Sequence, residues 1–318
     1  MNAVYIDRFG GAEVLTYGPQ PVPQAQPGQV LVKMAYAGVG TWDPLIREGV
    51  FADITGEVPA FPIILGTDGS GIIAAIGEGI DRFAIGDAVY VLGSNVYAEY
   101  AAIDADAVSK VPSFLPLDQA AAMPVIALTS HHGLVDELRV KKGDSLLING
   151  ASGDAGHVAI QLAKLIGVRV LAVASGEDGV RAALELGADS AVDGKVADVA
   201  AAARAFAPGG LDAVLTFVAG PGLDAATSAV REGGRVAYPL GVEPEPRSRA
   251  GVHFHHFDLT LDAPATTRTK MTRLNALISS GPFQVRVARS VPLAHAGEAH
   301  ELLRQHRVGK ILLDMGAA

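Results

Sequence analysis

The chain has 318 residues, 49% hydrophobic and 19% charged, a balance that suits a globular protein with room for two domains. The formal charge of -9 and the absence of any basic run longer than Lys141-Lys142 argue against a nucleic-acid partner. Cysteine is absent, which excludes disulfides, thiolate catalysis and thiolate-held metals. No apolar run is long enough to cross a bilayer, and Met1-Asn2-Ala3-Val4-Tyr5 leads directly into strand-like sequence with Asp7 and Arg8. Neither signal nor transit peptide is visible, so a cytoplasmic protein with no membrane partner is expected.

In chain order, β-branched segments broken by Gly and Pro come first: Gln29 to Tyr36, Gly69 to Ile76, Ala88 to Val91 and Ala98 to Ile103. They predict a compact, mostly β domain over residues 1–120. A helical stretch from Leu117 to Leu134 follows, with Asp118 as N-cap and a break or kink at Pro124. Strands and helices then alternate: strand Ser145 to Asn149, helix Ala155 to Leu165, strand Arg169 to Ala174, helix Asp178 to Leu186, strand Ser190 to Val192. The alternation continues with helix Val196 to Phe206, strand Ala213 to Phe217, helix Leu223 to Val230 and strand Gly234 to Tyr238. Short connections between such elements predict a parallel sheet covered on both faces, a doubly wound α/β domain over residues 121–258. Residues 259–318, after the Pro- and Arg-bearing loop Glu243 to Ala250, carry a helix at Ala265 to Ser279 and an extended Val285 to Val291. A helix at Ala294 to His306 and a strand at Lys310 to Asp314 close the chain.

Within this alternation, Ser145 to Ala163 places Gly150, Gly153 and Gly156 at every third residue between an apolar strand and a new helix. Such spacing lets the backbone turn tightly, approach an anion without Cβ obstruction and pack the helix against the strand. The free N–H groups at the helix start then face a nucleotide's phosphates. Gly150, Ser152, Gly153, Asp154, Ala155 and Gly156 are therefore candidate cofactor residues; an ordinary ligand-free turn is the alternative.

Six further groups of residues extend the pattern. Phe61-Pro62-Ile63-Ile64-Leu65-Gly66-Thr67-Asp68-Gly69-Ser70-Gly71, Asp81-Arg82-Phe83-Ala84-Ile85-Gly86-Asp87-Ala88-Val89-Tyr90 and Tyr97-Ala98-Glu99-Tyr100 lie in the first domain. Ala122-Met123-Pro124 with Leu128-Thr129, Lys142-Gly143-Asp144 and Gly309-Lys310-Ile311 lie beyond it. With these the chain resembles the medium-chain dehydrogenase/reductase superfamily, in its zinc-free quinone oxidoreductase branch. The resemblance implies a GroES-like substrate domain, formed by the N-terminal part and the last segment, around a Rossmann domain. In the zinc-dependent relatives the metal is held by Cys and His at positions resembling Gly40-Thr41-Trp42-Asp43 and Gly66-Thr67-Asp68, which offer no thiolate or imidazole here. A structural-zinc lobe is missing, because Gly93 passes almost directly to Tyr97. No zinc is expected. The branch's usual Val-Asn-Pro is replaced by Val39-Gly40-Thr41.

The resemblance also implies site residues. Thr129 would lie near the nicotinamide carboxamide, or bond its own helix backbone instead. Ser175 and Gly176 would meet the adenosine ribose. Ala174-Ser175-Gly176 is small and neutral where NAD-selective relatives carry an acid, which favours NADPH over NADH. Arg181 or Lys195 would then reach the 2′-phosphate, although Glu177 and Asp178 stand close by. Val218, Ala219, Leu240 and Gly241 follow strands of the sheet and would line the ribose and nicotinamide side. Gly40, Thr41, Trp42 and Tyr97 are candidate substrate-side residues, with core packing the other role for the two aromatics. His253, His255 and His256 read as a solvated strand or subunit contact, and His131-His132 as helix surface. No residue stands out as acid or base. The implied activity is hydride transfer to a quinone or α,β-unsaturated carbonyl by a homodimer; reduction of an enoyl thioester or another alkene, or NADPH binding without turnover, are the alternatives.

Overall fold

The computed structural model describes residues 1–56, 60–259 and 264–316. Of its three sheets, the two larger ones position the site. The first is built on the eleven-residue strand Gln29–Val39, whose Val30, Val32 and Met34 point inward while Lys33 faces out. This strand pairs antiparallel with Asp68–Ile76, Tyr100–Asp104 and, at its C-terminal end, Lys310–Asp314. The register sets Gly38 opposite Asp68 and Val39 opposite Ile311. Three distant stretches of sequence, around residues 40, 67 and 310, therefore meet at one end of the sheet.

The second sheet has six parallel strands in the order Ser190–Asp193, Arg169–Ala174, Ser145–Asn149, Leu211–Thr216, Val230–Pro239, His253–Phe257. Strand Ser145–Asn149 is buried along its whole length, with Leu146 and Ile148 on one face and Leu147 on the other. The first face packs on Val158 and Leu162 of helix Asp154–Ile166 and on Met271 and Leu274 of helix Pro264–Ile278. The second packs on Val199 and Ala203 of helix Val199–Phe206 and on Ala226. Strand order reverses between Ser145–Asn149 and Leu211–Thr216, so a crevice opens at their carboxyl ends, where the glycine turn lies. The expected α/β architecture, a GroES-like domain beside a doubly wound sheet, is the observed one.

Several boundaries differ. Pro116, not Asp118, precedes the helix Leu117–Ala122, and Pro124 opens a second helix, Pro124–His131, because its missing N–H costs nothing at a first turn. The helix expected from Val196 begins at Val199, where the Asp198 carboxylate accepts the Ala201 N–H and fixes the start. The stretch from Gly49 contains helix Val50–Thr55; residues 57–59 lie outside those described. His131 and His132 are not a helix surface. His131 is buried, which pushes its imidazole down to about 4, and His132 contacts Asp136 and Glu137.

Candidate active site

On the nucleotide side, Gly150 turns the chain with φ +80°, and Gly153 precedes helix Asp154–Ile166. A Cβ on Gly156 would stand 2.1 Å from the Gly150 carbonyl oxygen, so only glycine allows the helix to close on the turn. A Cβ on Gly153 would keep 3.3 Å from that oxygen. The cradle thus fits a pyrophosphate by close backbone approach and by the free N–H groups of the helix start. Ser152, buried, accepts the Ser175 N–H at 3.2 Å and ties the turn to the end of the next strand. The Ala155 carbonyl accepts the Ser130 hydroxyl at 3.0 Å.

The cations around this cradle are only partly those expected. Arg181 and Lys195 are exposed and make no ion pair among the described residues. The C-terminal segment supplies one other cation, Arg307, and a histidine. Arg307 meets Asp154 at 3.1 Å, and His306 meets Asp178 at 3.0 Å beside Gly176. Sequence reasoning missed both, because no local pattern shows that residues 306 and 307 return to the first and second strand ends. The Asp178 carboxyl is held below its usual range by the His306 hydrogen bond.

Of the remaining expected cofactor residues, Val218 and Leu240 are 45% and 51% exposed, large apolar side chains left open at carboxyl strand ends. Ala219 and Gly241 adjoin them. Thr129 donates its hydroxyl to the Val125 carbonyl at 2.7 Å, the backbone-bonded alternative, and stays half-buried with its oxygen lone pairs available.

Across the crevice, residues 40, 42 and 67 form one unit. The Trp42 indole N–H donates to Thr67 Oγ1 at 3.0 Å, and the ring lies so close over Gly40 that a Cβ there would be 2.2 Å from it. Lys310 Nζ sits 4.4 Å from the ring centroid and 3.6 Å from an Asp68 carboxylate oxygen, with Lys310 and Asp68 fully buried. Tyr97 does not line a pocket. It is fully buried and donates its hydroxyl to Asp43 at 2.9 Å, since Gly66 leaves room for its ring in the core. The Asp43 carboxylate also accepts the Gly40 N–H at 2.7 Å, which orients the start of the Trp42 helix. Burial pushes the Asp43 carboxyl up to about 7 despite both hydrogen bonds. Burial also raises Asp68, against the pull of Lys310, and the nearby Asp154 charge adds to the rise.

Gly40 offers no side chain and Thr67 only a hydroxyl, and among the described residues no three His, Cys, Asp or Glu side chains gather as a metal site. A zinc ion therefore finds no fitting donor set at this wall. His255 contacts Glu137 at 3.2 Å and His256 packs on Tyr238, so the histidines on strand His253–Phe257 diverge. No helix among the described residues is long and apolar enough to cross a membrane.

Residues 26–113 match the family model described as an alcohol dehydrogenase GroES-like domain, and residues 155–264 the one described as a zinc-binding dehydrogenase. The quinone oxidoreductase of Sus scrofa is 30% identical over 98% of this chain and 97% of its own length. A solved NAD-dependent alcohol dehydrogenase superposes with a TM-score of 0.87 at 29% identity, covering 99% of this chain and 100% of that one. A mycobacterial protein solved in complex with NADPH gives 0.84 at 26% identity, covering 99% of each chain.

Proposed function

Because the chain belongs to the medium-chain dehydrogenase/reductase superfamily, in its quinone oxidoreductase branch, we propose that it is an NADPH-dependent, zinc-independent reductase of a quinone or α,β-unsaturated carbonyl. The observation that carries this reading is the pairing of a glycine cradle with a facing wall, Gly40, Trp42 and Thr67, that lacks metal ligands. Bound NADPH supplies the hydride; the chain's residues position it and the acceptor.

The backbone of Gly150 to Gly156 and the helix start hold the pyrophosphate, with Arg307 beside Asp154 as the nearest cation. Arg181 and Lys195 are the unpaired cations available to a 2′-phosphate, at the price of competing with Glu177 and Asp178. Exposed Val218 and Leu240 give the nicotinamide an apolar wall and keep water from its reacting face. A quinone or enone takes hydride at carbon and leaves charge on oxygen, so a positioned donor is enough. Thr67 meets that need: its oxygen accepts the indole N–H, and its own hydroxyl proton has no partner among the described residues. Among the described residues, strand His253–Phe257 ends its sheet with an unpaired backbone edge, through which we propose a second copy docks.

Oxidation of NADPH and of NADH by a panel of quinones, enones and enoyl thioesters, with and without prior chelator treatment, tests the reading. Turnover with quinones that prefers NADPH and survives the chelator supports it. Absence of turnover with every acceptor would leave a nucleotide-binding protein and remove the reductase assignment.

A further inference from the structure

We propose that Trp42 determines acceptor specificity: its indole is a fixed platform on which a planar quinone ring stacks, favouring cyclic conjugated acceptors over open-chain thioesters. The inference rests on the reductase reading above and narrows its substrate class.

The ring is held from three directions. Its N–H donates to Thr67 Oγ1 at 3.0 Å, Gly40 accepts it at a distance no Cβ would permit, and Lys310 Nζ lies 4.4 Å from its centroid. Lys310 is fully buried, so this cation occupies the inner face, where the ring's negative quadrupole favours it. Trp42 as a whole is half-buried beside exposed Thr41 and Leu45, so part of the residue reaches solvent. A platform already fixed loses no side-chain freedom when a ligand settles on it. An aromatic acceptor gains offset stacking there. An extended acyl chain presents no ring to the indole and gives up its own freedom on binding. Gly40 and Trp42 act together in this arrangement: any larger residue at 40 would expel the ring.

Trp42 is the chain's single tryptophan, so intrinsic emission reports on this residue alone. The full-length protein, loaded with NADP+ to prevent turnover, is titrated with 1,4-naphthoquinone and separately with crotonyl-CoA. Saturable quenching by the quinone and none by the thioester is expected. Linear quenching equal to that of free N-acetyltryptophanamide overturns the platform.

In parallel, the ratio of kcat/KM for naphthoquinone to that for methyl vinyl ketone is measured. Trp42→Ala should lower the ratio about tenfold, chiefly through KM, while Trp42→Phe stays within about threefold. Gly40→Ala, which retains the indole but displaces it, should lower the ratio likewise and shift emission to the red. An equal loss for both acceptors in Trp42→Ala refutes a specificity role. If the unmodified protein turns over no quinone, the reductase reading falls, and the emission titration alone then decides the platform.

Discussion

Replacing Asp43 by Asn isolates what it costs the fold to bury a carboxylate behind the acceptor wall. Burial raises the folded-state pKa from 3.8 to about 7, so between those values the folded chain keeps a proton that the unfolded chain has released. Stability is therefore fullest below about pH 4, falls as pH rises through the window, and levels off above about pH 7. A shift of about 3 units at 1.36 kcal/mol each amounts to on the order of 4 kcal/mol. An amide reproduces the neutral carboxyl: its oxygen accepts from Gly40 and Tyr97, and its nitrogen takes the place of Asp43 Oδ1, which has no partner. The two proteins should have similar stability near pH 4 and diverge as pH rises, with Asp43→Asn the more stable by on the order of 4 kcal/mol near pH 8. Thermal unfolding followed by circular dichroism across this range would show a gap in Tm of roughly 6 °C. Contributions from titrating groups remote from Asp43 cancel in the difference, while its neighbours Asp68 and Lys310 shift with the charge removed. Parallel pH curves for the two proteins, or a variant that is less stable above neutrality, would refute the assignment.

Gly153→Val should leave the fold intact and strongly weaken NADPH binding, because the branched side chain fills the approach to the pyrophosphate; unchanged affinity by titration would remove the phosphate site. Gly156→Ala should destabilise the Rossmann domain as well, since its Cβ would stand 2.1 Å from a backbone oxygen, and a lowered Tm checks it. Elemental analysis after chelator treatment should find no stoichiometric zinc. Arg181→Ala or Lys195→Ala should weaken NADPH more than NADH by roughly tenfold to a hundredfold, if a single charged hydrogen bond to the 2′-phosphate is lost. Equal binding of the two nucleotides by the unmodified protein would point instead to Glu177 or Asp178 at the ribose.

What the sequence showed, and what it hid, follow from the range of each interaction. The glycine turn was legible because its three glycines, strand and helix lie within twenty residues, and their geometry is locally determined. Trp42 was legible as an aromatic near the wall, yet its role was not. The deciding contacts come from Thr67 and Lys310, which are 25 and 268 positions away and become neighbours only through the register of three strands. Tyr97 was ambiguous for the same reason, since nothing local shows that Gly66 opens a space for its ring. His306 looked like the last residue of a terminal helix, with Arg307 just beyond it. That helix stops at Leu302, and the two side chains turn toward Asp178 and Asp154 across the molecule.

The same long-range closure ties the cofactor side to the acceptor side. One helix, Asp154–Ile166, is gripped along its length by the returning C-terminal segment. His157 donates through Nδ1 to the Gly153 carbonyl and accepts the Arg286 N–H on Nε2, at 3.0 and 3.1 Å, which fixes its tautomer; burial keeps it neutral by lowering its pKa. Gln161 adds a reciprocal pair of hydrogen bonds with the Gln284 backbone. Arg307 closes the helix's first turn through Asp154, and three residues later Lys310 lies beneath the Trp42 ring. One returning segment, residues 284–310, therefore holds both the helix that starts at the glycine turn and the lysine under the indole.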